Sequence, residues 1–225
     1  LKFDTGIAPA PNLLGAPATT IFGQFIKAAE DASYSFMEDE ILPEAVTTGS
    51  DNPSVTTEKD VFMNDNKLIG DGNDGITVEV GHTLSITGNG EISGFGTALK
   101  AENTGVLNLA DVIFTDNTTD VHNQGDMNIE GTVTMETLKG VGTTTIARDG
   151  ELNLGGATAQ EITQKFVGEG TLNFTGDISI QVDKLGTAMN TVAAGKTLTL
   201  TSGTVDYKTL IVPVSGEGRI KIAGG

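Results

Sequence analysis

The sequence predicts an all-β chain: a parallel β-helix (β-solenoid) of about seven rungs, preceded by an amphipathic N-terminal helix that caps it. Three observations predict it. A glycine-led apolar–polar–apolar motif recurs seven times; glycine is abundant (30 of 225 residues) while aromatics make up only 5%; and a helical apolar period occurs once, ahead of the first motif.

In chain order, residues 1–20 are rich in Pro, Ala and Gly and read as irregular. Over 21–42, Phe22, Phe25, Ile26, Ala29, Phe36, Met37 and Ile41 fall mostly three or four apart, which gives one apolar helical stripe. Thr20 is a plausible N-cap and Pro43 a stop. The polar face carries Glu30, Asp31, Glu38, Asp39 and Glu40 against Lys27. Helices that coat membranes carry Lys and Arg there, so a cap over the solenoid end is expected. Residues 43–60 read as a polar linker, which completes an N-terminal segment of 1–60. The solenoid is assigned to 61–225, with its first strands around the turn Asp71-Gly-Asn-Asp-Gly75.

The motif copies begin at Gly81, Gly105, Gly125, Gly150, Gly170, Gly195 and Gly218. Their first apolar anchors are Leu84, Leu107, Met127, Leu152, Leu172, Leu198 and Ile220, with successive gaps of 23, 20, 25, 20, 26 and 22 residues. A period near 22 marks a solenoid, and alternation within each copy marks a strand. Further anchors precede the glycine (Ile76, Val121, Phe166) or follow the motif (Val112, Val133, Ile178), so each period reads as about three short strands. One coil cannot bury its apolar edge alone, whereas stacked coils share a core. The central polar residue is Asn108, Asn128, Asn153 and Asn173 in four consecutive copies, which predicts an amide ladder down one face.

Composition narrows the function. The net charge of −17 argues against nucleic acid and against an anionic membrane surface. Residues 1–80 hold 14 acids and 4 lysines; residues 81–225 hold 16 acids and 9 bases. Without cysteine there is no disulfide and no thiolate metal site. No apolar run approaches the 18 or so residues of a spanning helix, so no membrane insertion is expected of this chain. It begins at Leu1, without a basic start and apolar run, and reads as a piece of a longer protein.

The 71–75 turn with Asn64, Asp65 and Asn66 has calcium-like oxygens, but it lacks the EF-hand spacing and its closing Glu. Asp126 and Glu151 follow equivalent turn glycines and would stack roughly 5 Å apart on adjacent rungs, near a retaining glycosidase's carboxylate separation. Both should face solvent, where nothing raises a pKa for acid duty. His82 and His122, the two histidines, sit beside different turns, and Arg148 and Arg219 lie about three rungs apart. Thr132/Thr134, Thr143/Thr145 and Thr197/Thr199 fall at different points of their rungs, so no flat ice-binding array forms. No catalytic, cofactor-binding or metal residue is assigned, and no cofactor is expected.

The stretch Gly96-Thr-Ala-Leu99 followed by Phe114-Thr-Asp-Asn117 resembles a rung of the polymorphic outer membrane proteins and related autotransporter passengers. Those carry a Gly-Gly-Ala-Ile type tetrapeptide and a Phe-x-x-Asn tetrapeptide per repeat. The second is matched in full; the first departs at its second glycine, and Phe174-Thr-Gly-Asp177 is a near match. The resemblance implies a right-handed parallel β-helix on the surface of a Gram-negative-type cell, anchored in the outer membrane through a part not in this chain. It implies an adhesin or scaffold, with a host or neighbouring-cell surface protein, a glycan or self-association as partner. The alternatives are a carbohydrate-binding or polysaccharide-degrading β-helix, and a filament subunit built by end-to-end stacking.

Overall fold

A computed structural model describes residues 34–35, 40–41, 46–47, 53–55, 58–201 and 214–223. They form a parallel β-solenoid of about seven turns with essentially no helix. Down to Thr171–Phe174, each turn lays one short strand on each of three faces. Stacking the turns produces a six-stranded first sheet from Tyr34–Ser35 to Leu138–Lys139 and a seven-stranded second sheet from Glu40–Ile41 to Lys165–Gly168. A nine-stranded third sheet runs from Val46–Thr47 to Val214–Gly216. A four-stranded fourth sheet, Gln160–Ile162 to Arg219–Ile222, takes over the place of the first.

Every pairing is parallel and in register, so like positions stack. On the second sheet Leu84, Leu107 and Met127 form one inward column, and Ile86, Leu109, Ile129 and Ile146 another. All are fully buried. Burying a Leu or Ile side chain contributes roughly 1.5–3 kcal/mol, and the column repeats that gain at each turn while the backbones pair along the axis.

The stacking corrects one expectation. The first three motif copies lie on the second sheet (Thr83–Thr87, Val106–Leu109, Asp126–Ile129), the next two on the third (Glu151–Leu154, Thr171–Phe174) and the last two on the fourth (Thr197–Thr201, Arg219–Ile222). The two long gaps in the spacing are where the motif changes face. From Met127 one turn of 17 residues leads to Thr144, its neighbour in the sheet, and eight more lead to Leu152. From Leu172 one turn of 18 residues leads to Asn190, and eight more lead to Leu198. The asparagines therefore form two short ladders rather than one. Asn128 Nδ2 donates to Asn108 Oδ1 at 2.8 Å on the second sheet, and Asn173 Nδ2 donates to Asn153 Oδ1 at 2.9 Å on the third.

The first sheet stops at Leu138–Lys139, and side chains close its edge. Gln160 accepts from Leu138 N–H (3.2 Å) and donates to the Glu136 carbonyl (2.5 Å). Gln164 donates to the carbonyls of Asn123 (2.7 Å) and Lys139 (2.9 Å), and Thr163 Oγ1 donates to the Gly140 carbonyl (2.5 Å). Gln164 is fully buried and also accepts from Asn123 Nδ2 at 3.0 Å. An open strand edge is thus paired with amides and hydroxyls instead of a further strand.

The capping helix assigned to 21–42 falls largely outside the described residues. Within that span Tyr34–Ser35 and Glu40–Ile41 are strands, paired in parallel with Pro53–Val55 and Lys59–Phe62. The sheets therefore begin upstream of residue 61, in part of the segment read as linker.

Close stacking of the corners explains most motif glycines, while Gly81 and Gly195 sit at positive φ with open space around them. A Cβ on Gly125 would lie 2.1 Å from the Gly105 carbonyl oxygen, whereas one on Gly81 (φ +76°) would meet nothing within 4 Å. Gly125→Ala should cost about 3 kcal/mol through forced separation of the turns. Gly81→Ala should cost only about 1 kcal/mol of left-handed strain. Denaturation midpoints of the two variants check the difference.

Candidate functional site

The side surface is built from the residues that alternate with the core. On the third sheet Lys67, Glu91, Ile113, Thr134, Asn153 and Asn173 occupy outward positions of successive strands. Beside the first of them runs a row of left-handed turn residues: Asn64 (φ 53°), Asp65 (59°), Asn89 (48°) and Asp111 (57°). Each lies in the turn between the second-sheet strand and the third-sheet strand. Short polar side chains tolerate this conformation, which explains the residue types.

Between this row and the outward column lies a groove of about 340 Å³, lined among others by Asp65, Lys67, Asn89, Glu91, Asp111 and Ile113. It crosses four turns, down to Thr132 and Thr134. Lys67 Nζ meets Glu91 Oε2 at 2.7 Å, and Thr115 Oγ1 donates to Glu91 Oε1 at 3.0 Å. Asp111 Oδ1 accepts from Thr132 N–H at 3.0 Å, tying one turn to the next. The Glu91 carboxyl lies below its ordinary value of 4.5 chiefly because Lys67 donates a hydrogen bond to it. Partial burial opposes this, and Thr115, the charge of Lys67 and Ser93 reinforce it. Ile113, in the middle of the column, is 50% exposed. The arrangement can donate and accept hydrogen bonds along a line and offer one apolar contact.

The Phe-x-x-Asn tetrapeptide has a structural task. Phe114 is buried in the core. Asn117 reaches back one turn, accepting from Phe95 N–H (2.9 Å) and donating to the Ile92 carbonyl (2.9 Å). It also donates to Asp120 Oδ1 (2.8 Å), whose other oxygen accepts from the Glu136 and Thr137 N–H groups. In the near match, Phe174 is buried and Asp177 reaches forward instead, accepting from Thr197 N–H at 2.7 Å.

The residues weighed for chemistry are dispersed. Asp126 pairs with Val106 and Thr143 on the second sheet, and Glu151 with Thr132 and Thr171 on the third, so the two do not stack. The equal spacing from a turn glycine misled because the motif had changed face between them. Asp71 accepts from the backbone and side-chain amides of Asn73 at 3.2 and 2.9 Å, closing its own turn. The 64–66 and 71–75 turns lie at opposite ends of the strand Lys67–Ile69. Among the described residues no three of His, Cys, Asp and Glu form a group that could hold a metal. His82 sits in the turn before Thr83–Thr87, whereas His122 lies within the strand Thr119–Asn123, its Nε2 3.3 Å from Gln124 Nε2. Arg148 binds Glu169 through Nε (3.0 Å) and Nη2 (2.8 Å) on the exposed surface, and Arg219 begins the last strand of the fourth sheet. No helix among the described residues is long and apolar enough to cross a membrane, which says nothing of β-barrels.

The groove was missed in the sequence because its rim residues Asp65, Asn89 and Asp111 belong to turns, where Asn and Asp read as ordinary punctuation, and its strand residues come together only through the register. A signal exists: Asn89 and Asp111 follow the anchors Leu84 and Leu107 at nearly the same offset.

Two outcomes are expected. Asn117→Ala leaves buried backbone groups of the previous turn unpaired and should cost about 2–3 kcal/mol. Asn108→Ala, on a half-exposed ladder, should cost about 1 kcal/mol or less, and urea titration separates the two. For Glu91, the unfolded chain holds the proton more tightly than the folded one. Its contribution is therefore full above pH 4.5 and lost as pH falls through the lower folded value. The stability gap between the wild type and Glu91→Gln, about 1 kcal/mol or less for so exposed a pair, should close on acidification.

No protein-family model, no curated protein and no solved structure matches this chain.

Proposed function

We propose that the chain acts as an extracellular adhesin or structural scaffold, the passenger portion of an outer-membrane-anchored surface protein of a Gram-negative-type bacterium, and performs no catalysis. The observation that carries this reading is the side surface: outward columns repeated in register over several turns, backed by a continuous buried core. Such a surface suits extended contact with another surface. The Phe114-x-x-Asn117 turn supports the resemblance behind the rest, because its two named residues do separate work in core and corner. Its partners are a surface protein or glycan on a host or neighbouring cell, or a second copy. The net charge of −17 disfavours nucleic acid.

A carbohydrate-binding role is the second reading that a specific observation favours, namely the polar groove along the third sheet. The dispersal of Asp126 and Glu151 gives no support to cleavage of what it holds.

The test is attachment of particles coated with the 225-residue chain to host and bacterial cells. Saturable attachment competed by the free chain, or self-association in sedimentation, is expected. Absence of both contradicts the reading.

A further inference from the structure

We propose that the turn formed by residues 160–174 is a hinge, at which the two ends of the solenoid bend relative to one another about the third sheet; the inference does not depend on the adhesin reading. Of the faces, the third alone carries an unbroken backbone ladder, from Val46–Thr47 to Val214–Gly216. The other two break on either side of this one turn. Leu138–Lys139 is the last strand of the first sheet and Gln160–Ile162 the first strand of the fourth, so these edges meet without strand pairing. Lys165–Gly168 is the last strand of the second sheet, and the next turn meets it with the 3₁₀ turn Val182–Lys184.

Side chains span both breaks. Across the first, Gln160 accepts from Leu138 N–H and donates to the Glu136 carbonyl, and Thr163 Oγ1 donates to the Gly140 carbonyl. Across the second, Thr187 Oγ1 accepts from Gly168 N–H and donates to its carbonyl. Such a bond lengthens or parts by rotation about the χ torsions of one residue, whereas a ladder bond opens only together with its neighbours along the strand. The bonds to the Glu136, Gly140 and Gly168 carbonyls lie at the surface, so water replaces a partner that leaves. Gln164 limits the opening: it is fully buried and donates to the carbonyls of Asn123 and Lys139. Two broken faces, one turn apart, can thus spread while the continuous third face keeps its length.

The chain has no cysteine, so pairs of spin labels can be placed at will. Lys100→Cys/Ser179→Cys spans the hinge from the first sheet to the fourth. Ile113→Cys/Met189→Cys joins the same two turns along the third sheet, and all four positions face outward. Pulsed EPR of the whole chain should give a broader distance distribution for the first pair than for the second. Gln160→Ala/Thr163→Ala, its fold confirmed by circular dichroism, should broaden the first distribution further and leave the second unchanged. Hydrogen exchange of the wild type tests the hinge without that variant. The amides of Leu138 and Gly168, which donate to side chains, should exchange about tenfold or more faster, relative to their intrinsic rates, than those of Glu151 and Thr171, which donate to backbone carbonyls at the third sheet. Equal widths on the two faces, broadening of both pairs together, or exchange at Leu138 and Gly168 as slow as at Glu151 and Thr171 overturns the proposal.

Discussion

Everything in this molecule depends on parallel, in-register pairing of successive turns at the spacing of hydrogen-bonded strands, roughly 4.8 Å. That one constraint turns a residue into a column. An apolar position becomes a stripe of core, as with Leu84, Leu107 and Met127. A polar outward position becomes a ladder, as with Ser85, Asn108 and Asn128, where each amide donates to the side chain of the turn before. The corners must stack as closely as the strands, which is why a carbonyl oxygen of one turn occupies the space that a side chain on Gly125 would need.

The same constraint explains how the cross-section changes along the axis. Where the first sheet ends, its edge groups still need partners, and the chain supplies them from Gln160, Thr163 and Gln164. The Asn123–Gln164 pair is accommodated inside the core because every group it brings is paired. The second sheet ends differently. Past Lys165–Gly168 a short 3₁₀ turn at Val182–Lys184 replaces the strand, and Thr187 Oγ1 pairs with both the N–H and the carbonyl of Gly168. Two faces are closed by side chains while the third continues. The solenoid therefore alters its faces one at a time and keeps its core.

The solenoid was legible in the sequence because apolar–polar–apolar alternation after a glycine has few other uses at a period near 22. The face of each strand was not. Leu107 and Leu152 sit in identical local patterns, and nothing in alternation distinguishes one flat face of a coil from the next. Only the gaps of 25 and 26 residues carried that information, and it is read once the partners Thr144 and Asn190 are known. Asp126 and Glu151 were aligned by motif rather than by turn, while Asn89, Asp111 and Ile113, brought together by true register, lay in unremarked turn and strand positions. The role of Asn117 was half legible: the tetrapeptide was singled out, but the three groups its side chain joins are 22 and 25 residues upstream and three downstream.

The migration of the motif from face to face is the claim on which register, ladders and groove all rest, and the absence of native cysteine makes it testable by paired cysteines. Adjacent in-register residues lie within reach of a disulfide or a very short cross-linker, and residues on different faces do not. The direct measurement compares cross-linking of Thr134→Cys/Asn153→Cys with that of Asn128→Cys/Asn153→Cys in the folded chain. The account predicts efficient closure for the first pair, which are neighbours on the third sheet, and none for the second. Closure of the second pair in place of the first would mean that the motif copies stack directly, and the register described above would be wrong.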